Sequence, residues 1–271
     1  MKIKAALKKV VRALGYEIRK IQPKPLEEDC DPIQDEVISG PWLSGVLQIA
    51  NRHYDPPVLR YRRTTYGDDQ RLKYMMYFLD LRGYRVLELG PFEGHLSVLL
   101  EKMGVRENIA IEARAENLRK CNRIKEKYGL EHTTFLQHDL ERLYSGRETP
   151  QFRGPFDLVF CLGVLYHVPD PAKALAWFRS QASVLFLGTH YLEPNQRSDS
   201  DATYQSNGKS YRVREHREGG LADPISGMSP VSVMLYEEDL LSLLHEVGYS
   251  RISVLGKDVQ NDFPHITILA E

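Results

Sequence analysis

The sequence predicts an α/β fold in which a doubly wound, mostly parallel sheet carries helices on both faces. Three observations point to it. First, Arg85–Leu89 is a short apolar run, followed by a glycine-bearing turn and then by His95–Met103, where Leu96, Leu99, Leu100 and Met103 share one helical face. Second, the rhythm recurs: Asn108–Ile111 leads into a helical Arg114–Tyr128, Thr133–Gln137 is a third strand, and Phe156–Leu162 a fourth before a helix at Ala172–Ser180. Third, 271 residues with 42% hydrophobic and 27% charged content suffice for one sizeable core with appendages.

The first strand ends in a turn shaped for a ligand. Gly90 lets the chain leave the strand with a φ that is otherwise costly, and Gly94 lets the following helix N-terminus come close to a bound molecule. A dinucleotide fingerprint is disfavoured, because Phe92 occupies its second glycine position and His95 its third. The surviving pattern, Glu88-x-Gly90-x-Phe92-x-Gly94, resembles the acidic-x-Gly-x-Gly-x-Gly signature of class I S-adenosylmethionine-dependent methyltransferases, with two of its three glycines. That donor has no phosphate, so a side chain at Phe92 is tolerable, and the resemblance places Glu88 to meet the donor's ammonium group.

The next strand ends extend the resemblance. Glu112 closes the second strand, where a carboxylate accepts hydrogen bonds from both ribose hydroxyls of a nucleoside; a solvated strand-end glutamate is the plain alternative. Asp139 follows the third strand, where the family places an acceptor for the adenine amino group, although Asp is also a common turn residue. The unbroken run Phe156-Asp157-Leu158-Val159-Phe160-Cys161-Leu162-Gly163-Val164-Leu165-Tyr166-His167-Val168-Pro169-Asp170-Pro171 closely resembles the fourth-strand motif of the same superfamily. The resemblance also lines the donor with Leu140, Cys161 and Leu162. It implies a Rossmann-like seven-stranded sheet with the last strand antiparallel, an N-terminal helical extension, and a lid inserted after the fifth strand. Helix initiation after the motif follows independently, from Asp170 as N-cap and Pro171 at the first helical position.

Residues 1–21 form a basic amphipathic segment, with Lys2, Lys4, Lys8, Lys9, Arg12, Arg19 and Lys20 set against Glu17. Two readings stay open: peripheral contact with an anionic membrane surface, or a helix docked on its own domain or packing a homodimer. Charges interrupt every apolar run, so it is no signal peptide. Residues 22–65 read as linker and cap, containing Pro23, Pro25, Pro32, the acidic cluster Glu27-Glu28-Asp29 and a helix at Trp42–Ala50. Arg60, Arg62 and Arg63 beside Tyr54, Tyr61 and Tyr66 suit an anionic substrate or RNA, with surface solvation as the default. The methyltransferase-like domain is expected over 66–271 and opens with a helix at Asp68–Leu81.

Ser183–Leu187 reads as the fifth strand, with His190 and Tyr191 at its C-terminal end. In an open parallel sheet ligands bind at that edge, so His167 and His190 point to one crevice. Residues 191–235 have no strong period and read as a lid that builds the acceptor pocket. Tyr166, Tyr191, Tyr204, Tyr211, Arg212 and Arg214 are its candidate substrate contacts. Glu237–Val247 is a core-facing helix stopped by Gly248, and Arg251–Leu255 with Ile266–Leu269 supply a final antiparallel pair.

The sulfonium methyl of such a donor is already activated. Transfer to a hydroxyl then needs in-line placement and a base, for which His167 and His190 are the candidates. A divalent metal is not favoured: Asp170 and His190 would be its first ligands, but no compact ligand motif surrounds them. The Gly-Val-Leu-Tyr-His run resembles the subgroup of transfer-RNA wobble-uridine modifying enzymes and glycan-cluster methyltransferases, and Leu14-Gly15-Tyr16-Glu17-Ile18 resembles the start of the latter. The expected activity is O-methylation of a sugar or other small hydroxylated metabolite, in polysaccharide or secondary-metabolite biosynthesis. An RNA-modifying enzyme is the alternative, although a net charge of −1 advertises no nucleic-acid face. A third is a non-catalytic binding protein of the same fold. Cys30, Cys121 and Cys161 form no ligand-spaced pairs, so a reducing cytoplasm is the simplest compartment, with peripheral contact at the inner membrane surface through residues 1–21 as one of the two open readings of that segment.

Overall fold

The computed structural model of the protein describes residues 70–271 apart from Pro224, Asn261 and Asp262. The basic segment, the linker and cap, the helix expected at 42–50 and the arginine–tyrosine cluster at 54–66 lie outside the described residues. In chain order the elements are α1 (Gln70–Phe78), β1 (Arg85–Leu89), α2 (His95–Lys102), β2 (Glu107–Glu112), α3 (Ala115–Tyr128), β3 (Thr133–Gln137), α4 (Leu140–Tyr144), β4 (Leu158–Leu162), α5 (Pro171–Gln181), β5 (Leu185–His190), β6 (Ala202–Ser206), β7 (Lys209–Arg217), β8 (Val231–Leu235), α6 (Glu237–Glu246), β9 (Ile252–Gln260) and β10 (Phe263–Ala270).

Seven strands form one sheet in the order β3-β2-β1-β4-β5-β10-β9. β1 to β5 are mutually parallel, and β10 runs antiparallel to both β5 and β9. The chain therefore reverses its winding between β1 and β4, and the crevice of a doubly wound sheet opens there, beyond the strands' carboxyl ends.

Side chains alternate across the sheet with period two. Leu87, Leu89, Val159, Cys161, Leu185 and Leu187 face the layer that holds Leu175 and Phe178 of α5 and Leu243 and Leu244 of α6. Val86, Leu158, Phe160, Leu162 and Phe186 face Leu72 and Met75 of α1 and Leu96, Leu99 and Leu100 of α2. Ala110 meets Cys121 and Ile124 of α3 on that second face. Asp170 caps α5 as expected, accepting the Lys173 N–H at 3.0 Å, with Pro171 in the first turn.

The structure corrects the reading of 191–235. Instead of an irregular lid, it holds a three-stranded antiparallel sheet in the order β6-β7-β8. The hairpin between β6 and β7 turns through Asn207 (φ +49°) and Gly208 (φ +75°), the pair of positive φ angles that a tight two-residue turn requires. The fifth strand also starts and ends later than expected, so His190 is its last residue.

Candidate active site

β1 hands over to α2 through Gly90-Pro91-Phe92-Glu93-Gly94. Gly90 has φ +63° and donates its N–H to Ile111 O at 3.0 Å; a Cβ there would stand 2.7 Å from Val164 Cγ2. A side chain here would be strained and would displace Val164, so the turn after β4 sits directly against this loop. Phe92 is held at φ +58°, a left-handed conformation costly for a side chain, at the position where the family pattern has glycine. Gly94 precedes α2 with φ +86°. Glu93 is fully buried and pairs with the buried Lys120 of α3 at 2.7 Å, and Cys121 Sγ donates to Phe92 O at 3.2 Å. The loop is thus tied to α3 at two points.

Two carboxylates flank the loop. Glu88 accepts from Ser97 Oγ at 2.6 Å and Asn108 Nδ2 at 2.7 Å, both on Oε2, while Oε1 is buried with no hydrogen-bond partner. Burial outweighs those two bonds and raises its pKa to about 7. Glu112, nearly fully buried at the end of β2, accepts the Arg114 N–H at 2.9 Å and Asn117 Nδ2 at 3.5 Å; burial raises its pKa against those bonds. His138 N donates to Glu112 O at 3.1 Å and draws the end of β3 alongside. Asp139 caps α4 by accepting the Glu141 N–H at 2.9 Å, and Leu140 is half-buried behind it. Leu162 and Cys161 are buried on opposite faces of the sheet, and burial pushes the Cys161 thiol up to about 12. Cys161 can therefore offer a ligand only its backbone. An unpartnered buried acceptor at Glu88, a desolvated carboxylate at Glu112 and a close-approach glycine turn between them fit a cationic amino-acid nucleoside such as S-adenosylmethionine.

Beyond β4, a single helical turn at Leu165–His167 presents Tyr166 and His167. His167 Nδ1 lies 2.9 Å from Glu218 Oε1. Glu218 comes from the segment after β7 and has a buried side chain. Burial pushes its pKa up, but hydrogen bonds from His167, Ser226 and Ser232 prevail and hold it at about 2. A carboxylate can only accept, so Nδ1 of His167 carries a proton and Nε2 holds the lone pair of the neutral ring. His190 is buried and donates Nδ1–H to Pro264 O at 3.2 Å, which likewise leaves Nε2 as its acceptor; burial holds its pKa below the usual histidine value. The ring of Tyr166 lies between the two imidazoles, 4.2 Å from His167 and 4.4 Å from His190. Both histidines expected to converge are brought together.

With this geometry in view, the family follows from comparison. A family model described as a methyltransferase domain matches residues 58–251. The chain belongs to that family, the class I S-adenosylmethionine-dependent methyltransferases. Among solved structures, this methyltransferase resembles the N-terminal domain of EvdMO1 in the presence of SAH and D-fucose. The two are 25% identical with a TM-score of 0.65, over 87% of this chain and 92% of that one. It is 34% identical over 124 residues to a ubiquinone biosynthesis O-methyltransferase of Xanthomonas oryzae pv. oryzae, covering 44% of this chain and 48% of the relative. It is 24% identical over 161 residues to a tRNA U34 carboxymethyltransferase of Campylobacter hominis, covering 56% and 50%. The methyltransferase thus spans about half the length of these curated relatives.

The expected acceptor contacts of the methyltransferase fall out differently. Tyr191 and Tyr211 are core residues, almost without exposure. Tyr204 donates its hydroxyl to Asp170, and Arg214 is committed to Asp201 at 2.9 Å and to Gln196 O. Arg212 is exposed, with its N–H on Asp239 at 3.0 Å. Of these, Tyr204, Tyr211 and Arg214 are taken up by the small sheet's own packing and pairing, Tyr191 packs beside β10 with its N–H on Pro264 O, and only Tyr166 of the expected contacts adjoins the two imidazoles. Asp170 is likewise occupied, by its helix cap, Lys173 and Tyr204. Among the described residues no group of three or more His, Cys, Asp or Glu is placed to hold a metal ion, and none of the described helices is long and apolar enough to cross a membrane. Reading the sequence missed Glu218, Arg114 and the Glu93–Lys120 pair, whose partners come from distant segments.

Proposed function

We propose that the protein transfers the methyl group of S-adenosylmethionine to a hydroxyl of a sugar or other small hydroxylated metabolite, with His167 as general base. The observation that carries this reading is the Glu218–His167 pair beside the donor loop. A carboxylate fixed at Nδ1 orients the ring and stabilises it once Nε2 has taken a proton, as in the histidine–carboxylate pairs of acyl-transfer enzymes. An alcohol needs such help because its own proton leaves reluctantly, whereas an amine or carboxylate acceptor does not.

When bound, S-adenosylmethionine supplies an activated methyl group. The chain's residues do the rest. Glu112 accepts the ribose hydroxyls, and Glu88 Oε1 offers an acceptor to the ammonium. Tyr166 and His190 form a wall for the acceptor. His167 Nε2 would accept the proton of an acceptor hydroxyl held in line with the donor's methyl group. Similarity to a domain solved in the presence of SAH and D-fucose supports a sugar-like acceptor, and a ubiquinone biosynthesis O-methyltransferase among the relatives supports oxygen as the nucleophile. A second reading, methyl transfer to RNA, draws on the tRNA U34 carboxymethyltransferase relative.

A labelled-methyl screen over free sugars, nucleotide sugars, lipid-linked sugars and transfer RNA separates the two. Label in a sugar fraction, lost in His167→Ala, is the expected result. Label in transfer RNA alone refutes the reading.

A further inference from the structure

The segment from Glu218 to Pro230 is fastened to three places. Glu218 Oε1 accepts from Ser232 Oγ at 2.5 Å as well as facing His167, and Glu218 Oε2 accepts from Gly227 N at 2.5 Å and from Ser226 Oγ. Ser229 Oγ donates to Glu141 of α4, beside Asp139. The third fastening is Arg114. Its Nη2 donates to Gly220 O at 2.9 Å, Ser226 O at 2.5 Å and Gly227 O at 3.4 Å, while its own backbone N–H sits on Glu112. Gly227 in turn packs so closely on the turn after β4 that a Cβ there would lie 2.5 Å from His167 O.

One guanidinium thus spans the gap between the acid at the ribose rim and the two residues, Ser226 and Gly227, that hold Glu218. We propose that Arg114 is a positioning residue: it clamps the 218–230 loop and so fixes the Glu218–His167 pair, in both tautomer and aim, from the donor side of the crevice. The inference rests on His167 being the base. Arg114 suits the task because its guanidinium is planar and permanently charged, and its Nη2 alone reaches all three carbonyls. Lysine offers a point charge with a shorter reach.

The test reads the imidazole directly and needs no acceptor. Long-range 1H–15N spectra of the full chain saturated with S-adenosylhomocysteine report which ring nitrogen of His167 is protonated, the signals being assigned by their loss in His167→Gln. Wild type is expected to show the Nδ1-protonated ring. Arg114→Ala, which keeps the backbone N–H on Glu112, is expected to shift at least half of His167 to the other tautomer. It should also speed amide exchange over residues 219–227 at least tenfold and change S-adenosylhomocysteine affinity by no more than threefold. Arg114→Lys is expected to fall between the two and carries the same measurement where the alanine variant does not fold. Unchanged tautomer and exchange overturn the proposal, and so does a tenfold loss of S-adenosylhomocysteine affinity, which makes Arg114 part of the donor site. Methyl transfer to the sugar panel is read in parallel. A displaced imidazole with wild-type turnover removes His167 as base, a failure distinct from an imidazole that never moved.

Discussion

Glu88 offers a quantitative test of how the donor side is built. Its carboxylate is buried on the α2 face with only Ser97 and Asn108 donating to it, and its pKa rises from 4.5 to about 7. Each pKa unit is worth about 1.4 kcal/mol, so holding Glu88 ionised in the fold costs about 3 kcal/mol. The sign follows from proton uptake. Between pH 4.5 and about 7 the folded chain holds a proton at Glu88 that the unfolded chain has released, so stability falls as pH rises through this window and the full cost is present by pH 8. Glu88→Gln removes the charge while keeping the shape and an acceptor for Ser97 and Asn108. At pH 8 the variant is expected to be more stable than wild type by about 1–3 kcal/mol, the range allowing for a new amide donor that finds no partner. At pH 5 wild-type Glu88 is itself neutral and the advantage disappears. Urea unfolding of both proteins from pH 5 to 8, without donor, measures the difference; in thermal unfolding it amounts to about 2–12 °C for a domain of this size. Parallel pH profiles for the two proteins would falsify the argument, because they would show that Glu88 carries no buried charge at pH 8.

Further outcomes follow from the same geometry. Glu112→Ala removes the proposed acceptor for the ribose hydroxyls and is expected to weaken S-adenosylmethionine binding by about 1.5–3 kcal/mol, measured calorimetrically; unchanged affinity places the donor elsewhere. His167→Ala is expected to lower turnover by roughly 10²–10⁴-fold, the usual worth of a general base, with donor affinity within threefold of wild type. Glu218→Gln should fall in the same direction by less, since the ring loses its orienting charge but not its nitrogen, and normal turnover in both variants removes the base assignment. Gly90→Ala forces a side chain into φ +63° and against Val164 Cγ2 at 2.7 Å. It should cost at least about 1–2 kcal/mol of stability, and a thermal midpoint equal to wild type contradicts the close seating of the two turns.

What the sequence disclosed is what local chemistry dictates. Gly90 and Gly94 mark a turn, Asp170-Pro171 starts a helix, and apolar runs such as Leu158–Leu162 leave a buried strand few alternatives; all lie where expected. Pairings between distant segments stayed hidden. Glu218 stands 51 residues from His167 and Lys120 stands 27 from Glu93, and nothing near either residue announces its partner. The small sheet was different, since its signal was present. Asn207-Gly208 is a strong hairpin turn, and Tyr211 and Val213 alternate with Arg212 and Arg214 as one buried face demands. Choosing Tyr211 for its polar group overlooked that a strand uses every second side chain for its own packing, while Arg214, on the other face, is taken by Asp201 and Gln196 O.

The two halves of the site differ in what can be altered independently. The residues proposed to contact the donor, Gly90, Glu88 and Glu112, lie on or just after β1 and β2 of the large sheet, held by strand register and by the Glu93–Lys120 pair. The proposed base, His167, lies in the helical turn after β4, but the carboxylate facing its Nδ1 belongs to the small sheet's own chain, between β7 and β8. Any exchange of the 191–235 segment therefore also replaces the group facing His167, although the proposed acceptor wall of Tyr166 and His190 lies outside it. A graft of that segment without a glutamate equivalent to Glu218, and without the glycine and serine that bind it, should keep donor affinity and lose turnover on every hydroxyl acceptor. Base activation thus depends on the small sheet's chain, which reaches the proposed donor side both through Arg114 and through Ser229 on Glu141.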